Sequence, residues 1–205
     1  MPRIFLAGAT GAVGKRLVPL LVAEGYAVWG TTRRADKAGL LRAMGATPVV
    51  VDVFEADALR RELAAAGPEI VIHQLTDLPA GLDPARMAEA TARNARIRIE
   101  GTRNLVAAAI AAGARRLIAQ SIAWEAQGAS AEGVAALERQ TLHSPPLEGI
   151  VLRYGRFYGP GTGKDAAPSD LACHVDVAAR AAVTAVQRGE GGIVRVTDAE
   201  PYLQK

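Results

Sequence analysis

The hydrophobic pattern of this chain alternates between short, continuous apolar runs and longer stretches with apolar residues at helical spacing. The short runs predict strands over residues 4–7, 27–32, 47–51, 69–73, 115–121, 149–153 and 192–196. The longer stretches predict helices over residues 12–23, 35–44, 56–65, 84–112, 133–142 and 174–187. Regular alternation of strands and helices predicts an α/β fold with a doubly wound parallel sheet, organised as one domain over residues 1–205.

A glycine-rich turn joins the first predicted strand to the first predicted helix, with the spacing G-x-x-G-x-x-G over residues 8–14. Glycines at these positions allow a tight turn, close approach of a pyrophosphate and close packing of the helix. The helix N-terminus adds free N–H groups and a partial positive charge. The turn therefore predicts a dinucleotide site, the alternative being an ordinary glycine-rich βα turn. The predicted contacts are Gly8, Thr10, Gly11, Ala12, Val13 and Gly14, with the pyrophosphate over residues 10–13.

The end of the second predicted strand indicates which dinucleotide binds. An NAD site carries an acidic residue about 20 positions beyond the glycines, which binds the ribose 2′-hydroxyl. This chain instead reads Thr31-Thr32-Arg33-Arg34, and two guanidinium groups suit a 2′-phosphate. The stretch therefore predicts that NADP binds through Arg33 and Arg34, and that Thr31 also contacts the cofactor. NAD is the alternative if the arginines only solvate the next helix or if Arg33 stacks on adenine.

Further cofactor contacts are expected where the other strands end, because open α/β sheets bind ligands outside the carboxyl ends of their strands. Asp52 and Val53 follow the third strand and are predicted to frame the adenine. Asp52 also has capping-box spacing with Glu55, which would start the next helix. The remaining predicted contacts at strand ends are Gln74, Leu75, Thr76, Ser121 and Tyr154.

Composition narrows the class of protein. The chain is 50% hydrophobic and 22% charged, as in ordinary globular proteins. A net charge of +3 is too small to indicate a nucleic-acid partner. The single Cys173 excludes an intramolecular disulfide and offers no metal cluster, so no metal is predicted. The chain shows neither a signal peptide nor an apolar run of membrane-spanning length, so a soluble, cytoplasmic protein with no membrane partner is expected.

Several motifs together carry a resemblance to a known family. They are, in chain order, GATGAVG at residues 8–14, Asp52-Val53, the strand end at His73, EGTRNL at residues 100–105, the strand end at Ser121, LRYG at residues 152–155, YGPG at residues 158–161 and HVDVA at residues 174–178. This order resembles the extended short-chain dehydrogenase/reductases, the NAD(P)-dependent epimerase/dehydratase group. The resemblance implies a Rossmann domain that binds NAD(P) and acts on a small carbonyl or alcohol substrate, such as a sugar derivative.

The resemblance also implies a homodimer through the long predicted helix. Small and apolar residues form a stripe along that helix, which permits close approach of a second helix. The stripe consists of Ala90, Ile97, Gly101 and Leu105. The alternative is that these residues pack only on the sheet of their own chain.

Three departures from the family pattern concern the chemistry. The family's Tyr-x-x-x-Lys pair is replaced by Ser130 and Val134, and Arg98 stands where the family has an Asn. Only residues 162–173 separate the Gly-Pro-Gly loop from the His-Val-Asp motif, so the substrate subdomain is expected to be nearly absent.

The resemblance assigns Ser121 to the polarisation of a substrate oxygen, whereas the proton donor must come from elsewhere. Tyr154 is the predicted acid, its pKa lowered by Arg153 or Arg156. Its alternative role is an aromatic wall of the nicotinamide pocket. Other candidate proton donors near the strand ends are Tyr158, His73 and Glu125, although His73 alone is typical of a hydrogen-bonded core histidine. Two classes of function follow: an NAD(P)-dependent oxidoreductase or epimerase-like enzyme, or a cofactor-binding sensor or scaffold without catalysis.

Overall fold

The central feature of the computed structural model, which describes residues 1–79, 83–168, 170–188 and 190–202, is a parallel β-sheet. The strands are β1 (Arg3–Ala7), β2 (Ala27–Thr32), β3 (Thr47–Val50), β4 (Ile70–His73), β5 (Arg116–Ile122), β6 (Glu148–Tyr154), β7 (Arg156–Tyr158), β8 (Ala172–His174) and β9 (Gly192–Val196). Within the described residues, seven of them form one sheet in the order β3-β2-β1-β4-β5-β6-β9, and β7 pairs with β8 separately. The predicted doubly wound parallel sheet is confirmed.

Helices cover both faces of this sheet. They are α1 (Gly14–Ala23), α2 (Ala38–Ala43), α3 (Ala56–Ala66), α4 (Pro84–Arg96), α5 (Thr102–Ala111), α6 (Gly128–Leu142) and α7 (Val175–Arg188). Successive strand residues point to opposite faces. Ile4 and Leu6 of β1 therefore pack in the core beneath α1 and α7, and Phe5 packs beneath α3 and α5. Across the described ranges, no helix has both the length and the apolar composition that a membrane crossing requires.

The helix boundaries differ from the predicted ones in three places. The long helix predicted over residues 84–112 is interrupted by a π-helical turn, Ile97–Gly101, between α4 and α5. A single π-helical turn inserts only one extra residue, so the spacing of apolar residues on its two sides still predicts one continuous helix. Helix α6 begins at Gly128 rather than at residue 133, because its first turn carries small residues without apolar periodicity. The stretch predicted over residues 35–44 is a 3₁₀ turn, Ala35–Lys37, followed by α2.

The small-residue stripe of the long helical region packs inside the chain. Ala90, Ile97, Gly101 and Leu105 are all buried. A Cβ atom at Gly101 would lie 3.0 Å from Val53 Cγ1, so this glycine permits close packing on the turn after β3. The prediction that the stripe forms a dimer interface is wrong, because the same small residues that would admit a partner helix already admit the chain's own elements.

The predicted capping box at the start of α3 does not form. The Asp52 carboxylate accepts a hydrogen bond from the Phe54 backbone N–H, at 3.0 Å, and so shapes the turn after β3. Glu55, the N-cap residue, makes no side-chain capping bond.

Candidate functional site

A cavity of about 980 Å³ opens at the carboxyl ends of the parallel strands. Its walls come from β1, β2, β5, β6 and β7, from the turns that follow β1, β2, β3 and β4, and from α4 and α6. Every residue predicted from the sequence to bind cofactor or substrate lines it. These residues are Gly8, Thr10, Gly11, Ala12, Val13, Gly14, Thr31, Arg33, Arg34, Asp52, Val53, Gln74, Leu75, Thr76, Ser121 and Tyr154.

The three glycines of the turn before α1 differ in their surroundings. A Cβ atom at Gly8 would lie 2.6 Å from the Gln74 carbonyl oxygen, and one at Gly14 would lie 2.4 Å from the Gly8 carbonyl oxygen. Both positions therefore need glycine for the fold itself. Gly11 is exposed, and its Cβ would meet only the Gly8 carbonyl oxygen, at 3.3 Å, so the space above Gly11 belongs to the cavity.

The turn leaves backbone donors for an anion. Within the described chain, the N–H groups of Thr10, Ala12 and Val13 donate to no backbone carbonyl, as predicted. The prediction was wrong for Gly11, whose N–H donates to the Gly8 carbonyl at 3.0 Å. Free N–H groups at the start of a helix are suited to phosphate oxygens.

Cations gather where β2 ends. Arg34 forms a two-point pair with Asp36, with Nη2 and Oδ2 2.5 Å apart, and Arg33 lies 3.4 Å from Asp77. Both arginines are exposed and border the cavity. Lys37 also borders it, with no ion pair within the described residues. Lys37 was not among the residues predicted from the sequence, although its spacing of three from Arg34 in a helical turn was a signal for it.

The Gln74 side chain supports the fit of a ligand in this cavity. Gln74 is only 5% exposed, it lines the cavity, and its amide nitrogen and oxygen make no hydrogen bond of normal geometry among the described residues, although the amide lies close enough to the Tyr154 hydroxyl to lower the pKa of that phenol. A buried amide without partners is costly, and a ligand with complementary groups removes that cost. With the glycine turn, this amide makes the cavity suitable for a dinucleotide.

His73 is a core residue. Its Nδ1 accepts from the Leu75 backbone N–H at 3.2 Å, so the proton is on Nε2, which lies 3.1 Å from Thr102 Oγ1. Burial, together with the nearby Arg98 charge, lowers the pKa of His73 to about 4. The imidazole is therefore neutral near pH 7 and fully hydrogen-bonded.

Ser121 belongs to a hydrogen-bonded group with Glu138 and Arg153 that was not predicted from the sequence. Its hydroxyl donates to Glu138 Oε1 at 2.6 Å, and Arg153 donates to both carboxylate oxygens of Glu138. Burial by itself would raise the pKa of Glu138, but the hydrogen bonds from Arg153 and Ser121 outweigh it and lower that pKa. Glu138 lies one helical turn after Val134, and that i, i+4 position was the signal for it.

Tyr154 lines the cavity, but its side chain is fixed in place and forms part of the cavity wall. The side chain is 1% exposed, its hydroxyl donates to the Ala178 carbonyl at 3.2 Å, and its ring packs on Phe157. Burial raises the pKa of Tyr154. The expectation that Arg153 or Arg156 lowers this pKa is wrong, because desolvation of the buried phenolate dominates and Arg153 is paired with Glu138.

The other candidate proton donors lie away from the cavity walls. Tyr158 donates to Asp198 Oδ2 at 2.9 Å, and that bond raises the pKa of Tyr158. Tyr158 and Glu125 are both absent from the cavity lining within the described residues.

The residues that replace the family's proton relay, Arg98 and Ser130, lie on the side of the cavity formed by helices. Arg98 and Ser130 both line the cavity, and Arg98 Nη1 lies 3.4 Å from Ser130 Oγ. Arg98 is 9% exposed. Trp124 and Arg156 continue this wall, with the guanidinium carbon 4.7 Å from the indole ring centre.

A short segment between β7 and β8 occupies the position of the reduced substrate subdomain. Gly161, Thr162 and Lys164 line the cavity, and a Cβ atom at Gly161 would lie 3.9 Å from Ala12 Cβ. The segment therefore reaches the glycine turn before α1.

Sequence comparisons identify relatives of this chain. A family model described as NAD(P)H-binding matches residues 8–142. A 3-diazoavenalumate denitrifying reductase from a Streptomyces species is 40% identical over 240 residues, covering 97% of this chain and 77% of that protein. A ceramide reductase from Caulobacter vibrioides is 31% identical over 161 residues, covering 77% of this chain and 47% of that protein.

Solved structures share the fold. A UDP-glucose 4-epimerase from Thermus thermophilus, in complex with NAD, aligns with a TM-score of 0.74 at 21% identity, covering 95% of this chain and 77% of that one. The UDP-glucose 4-epimerase of Thermotoga maritima, with UDP-glucose, gives a TM-score of 0.73 at 19% identity, covering 95% and 76%. These similarities confirm the predicted epimerase-type Rossmann fold.

Proposed function

Because the chain belongs to the NAD(P)H-binding family, with the fold of the epimerase/dehydratase-type short-chain dehydrogenase/reductases, we propose that it reduces an aryl diazonium group. Its sequence relatives are named reductases, and the solved structures that share its fold are epimerases, so the chain is an NAD(P)-dependent enzyme of the oxidoreductase/epimerase type. The acceptor class in this proposal is an electron-poor group that needs no proton from the protein.

One observation carries the proposal: at the three described cavity positions that the resemblance and the sequence connect with catalysis, Ser121, Ser130 and Tyr154, no side chain is a poised general acid. Ser130 stands where the resemblance implies the catalytic Tyr, and the Tyr154 hydroxyl is bonded to a backbone carbonyl. The Ser121 proton is directed at Glu138, whose lowered pKa keeps it ionised. Carbonyl reduction must protonate a developing alkoxide, so it needs such an acid.

A diazonium acceptor fits a site of this kind. When bound, NAD(P)H supplies a hydride equivalent, and with an aryl diazonium ion the balanced reaction gives the arene, dinitrogen and NAD(P)⁺ with no added proton. The name of the Streptomyces relative describes reduction and denitrification of a diazo compound. The chain's own contribution is to hold the cofactor at the glycine turn, the Gln74 amide and the cations after β2, and to enclose the acceptor between α4, α6 and the Tyr154 wall.

The second candidate is the carbonyl or alcohol substrate, such as a sugar derivative, that the family resemblance implies. Ser121 favours it, because this hydroxyl ends β5 at the cavity, where it would donate to a substrate oxygen. That role requires the hydroxyl to turn away from Glu138, and Tyr154 would have to act as an acid despite its raised pKa.

The test is NADPH oxidation with benzenediazonium, its 4-carboxy derivative, and a panel of aldehydes, ketones and keto sugars. We expect enzyme-dependent release of dinitrogen and arene with a diazonium salt. Gly11→Val, designed to block the cofactor cradle, measures the uncatalysed background. Turnover of a keto compound, with diazonium reduction no faster than that background, would replace the first candidate by the second.

Two variants separate these candidates further. Ser121→Ala should leave diazonium reduction within a few-fold of the unmodified protein, whereas loss of an oxyanion donor typically costs carbonyl reduction about 10² to 10³ in rate. Tyr154→Phe should likewise leave diazonium reduction nearly unchanged, because it keeps the aromatic wall.

A cytoplasmic location also remains part of the proposal, supported by the single, buried Cys173, which fits a reducing compartment.

A further inference from the structure

We propose that Arg98 is the receptor for a carboxylate on the substrate, so that the enzyme selects aromatic acids. The inference deepens the proposed function, since it concerns the same cavity, but it rests on contacts of Arg98 that do not depend on the identity of the acceptor group.

Arg98 is placed in the cavity by an irregular helix. It lies in the π-helical turn Ile97–Gly101, and such turns often occur at functional sites. The side chain is 9% exposed and lines the cavity. Its only hydrogen bond within the described chain is the 3.4 Å contact to Ser130, although a guanidinium carries five N–H donors.

The charges around Arg98 do not balance. The carboxylate whose charge acts on Arg98 is that of Glu138, which already accepts two hydrogen bonds from Arg153 and one from Ser121. His73, the other titratable group close to Arg98, is neutral. Two arginines therefore share one carboxylate. A buried cation that is only partly compensated is costly, and an anionic ligand reduces that cost.

The neighbouring groups indicate which anion fits. A guanidinium binds a planar carboxylate through two parallel hydrogen bonds, and Ser130 Oγ offers a further donor. Aromatic side chains, Trp124, Tyr154 and Phe157, line the same cavity and suit an aromatic ring. The N–H groups for the cofactor phosphates belong to a different element, the turn between β1 and α1. The arrangement is thus suited to a ring that bears a carboxylate.

The test titrates benzoate, and benzamide as its neutral analogue, into the NADP⁺-saturated protein by calorimetry. We expect the unmodified protein to bind benzoate more tightly than benzamide, and Arg98→Gln to lose about tenfold or more of the benzoate affinity with little change for benzamide. Arg98→Lys, which keeps the charge, should lose less. The matched control is Arg103→Gln, an exposed arginine on α5 outside the cavity lining, which should bind benzoate as the unmodified protein does.

Folding of Arg98→Gln is checked by thermal melting without ligand, where removal of a buried and only partly compensated charge should change stability little, because Arg153 still pairs with Glu138. Equal benzoate affinity in the unmodified and Arg98→Gln proteins, or benzamide binding as tight as benzoate, would overturn the inference. Arg98-dependent benzoate binding without diazonium reduction would support this site and reject the proposed function. The opposite result is diazonium reduction with a KM that is unchanged by Arg98→Gln and is equal for acceptors with and without a carboxylate. That result would support the proposed function and reject the carboxylate site.

Discussion

At the residue scale, the glycines of the cofactor turn separate binding from folding. Gly11→Val places a side chain in the cavity with only one tight backbone contact, so we expect a folded protein that no longer binds NADPH. Gly14→Ala places a Cβ atom against backbone, so we expect a clear loss of stability. Circular dichroism and NADPH titration measure the two effects. Undiminished NADPH affinity in folded Gly11→Val would contradict the cofactor site.

Glu138 provides the residue-scale prediction for pH. Since its pKa is lowered in the folded protein, the carboxylate stabilises the fold at pH values above the unfolded pKa, and this stabilisation is lost as the pH falls through the folded pKa. Glu138→Gln should cost about 1 to 3 kcal/mol in the free energy of unfolding at pH 7. The cost should shrink below about pH 4.

Urea denaturation at pH 7 and in mild acid measures this difference. Glu62→Gln, at an exposed position on α3, is the matched control and should change stability little at either pH. A Glu138→Gln protein as stable as the unmodified one at pH 7 would show that the contacts with Ser121 and Arg153 contribute no net stability.

At the scale of elements, the connection from β2 to α2 sets the cofactor preference. Arg33, Arg34 and Lys37 all border the cavity there, and no acidic residue of this connection lines it. We therefore predict NADP over NAD, with Arg33→Gln or Arg34→Gln each weakening NADP⁺ by about tenfold and leaving NAD⁺ nearly unchanged.

Calorimetric titration with both cofactors decides this preference. Arg42→Gln removes an exposed charge from α2 outside the cavity lining and should not affect either affinity. Equal affinities for NADP⁺ and NAD⁺ in the unmodified protein would mean that the arginines only solvate the connection, as their pairs with Asp36 and Asp77 allow.

At the scale of the whole molecule, the homodimer stays a prediction that now rests on the family resemblance alone, because the small-residue stripe is buried within the chain. We expect sedimentation velocity to give a mass of twice 21.4 kDa at micromolar concentration. A mass of 21.4 kDa at the highest concentration reached would reject the dimer. The single-domain organisation over residues 1–205 likewise stays a prediction.

The sequence by itself determined the chain order of the seven strands of the large sheet and of the helices around it, the glycine turn, and the predicted cofactor residues that border the cavity, whereas β7, β8 and Lys37 were not predicted. These features follow from residues near one another in the chain, and from the rule that carboxyl ends of parallel strands meet at one edge of the sheet. The apolar period of each element was therefore sufficient to place Ser121 and Gln74 at the same cavity.

Only the tertiary structure decided what the side chains there do. The pairing of Ser121 and Arg153 with Glu138, the bond from Tyr154 to Ala178 and the unbalanced charge of Arg98 each join elements far apart in the chain. Burial and partner contacts determine the pKa and the free donors of a group, and neither is a property of local sequence. For this reason the cofactor cradle was predictable, whereas the absence of a poised acid at the described cavity positions that the resemblance and the sequence connect with catalysis was not.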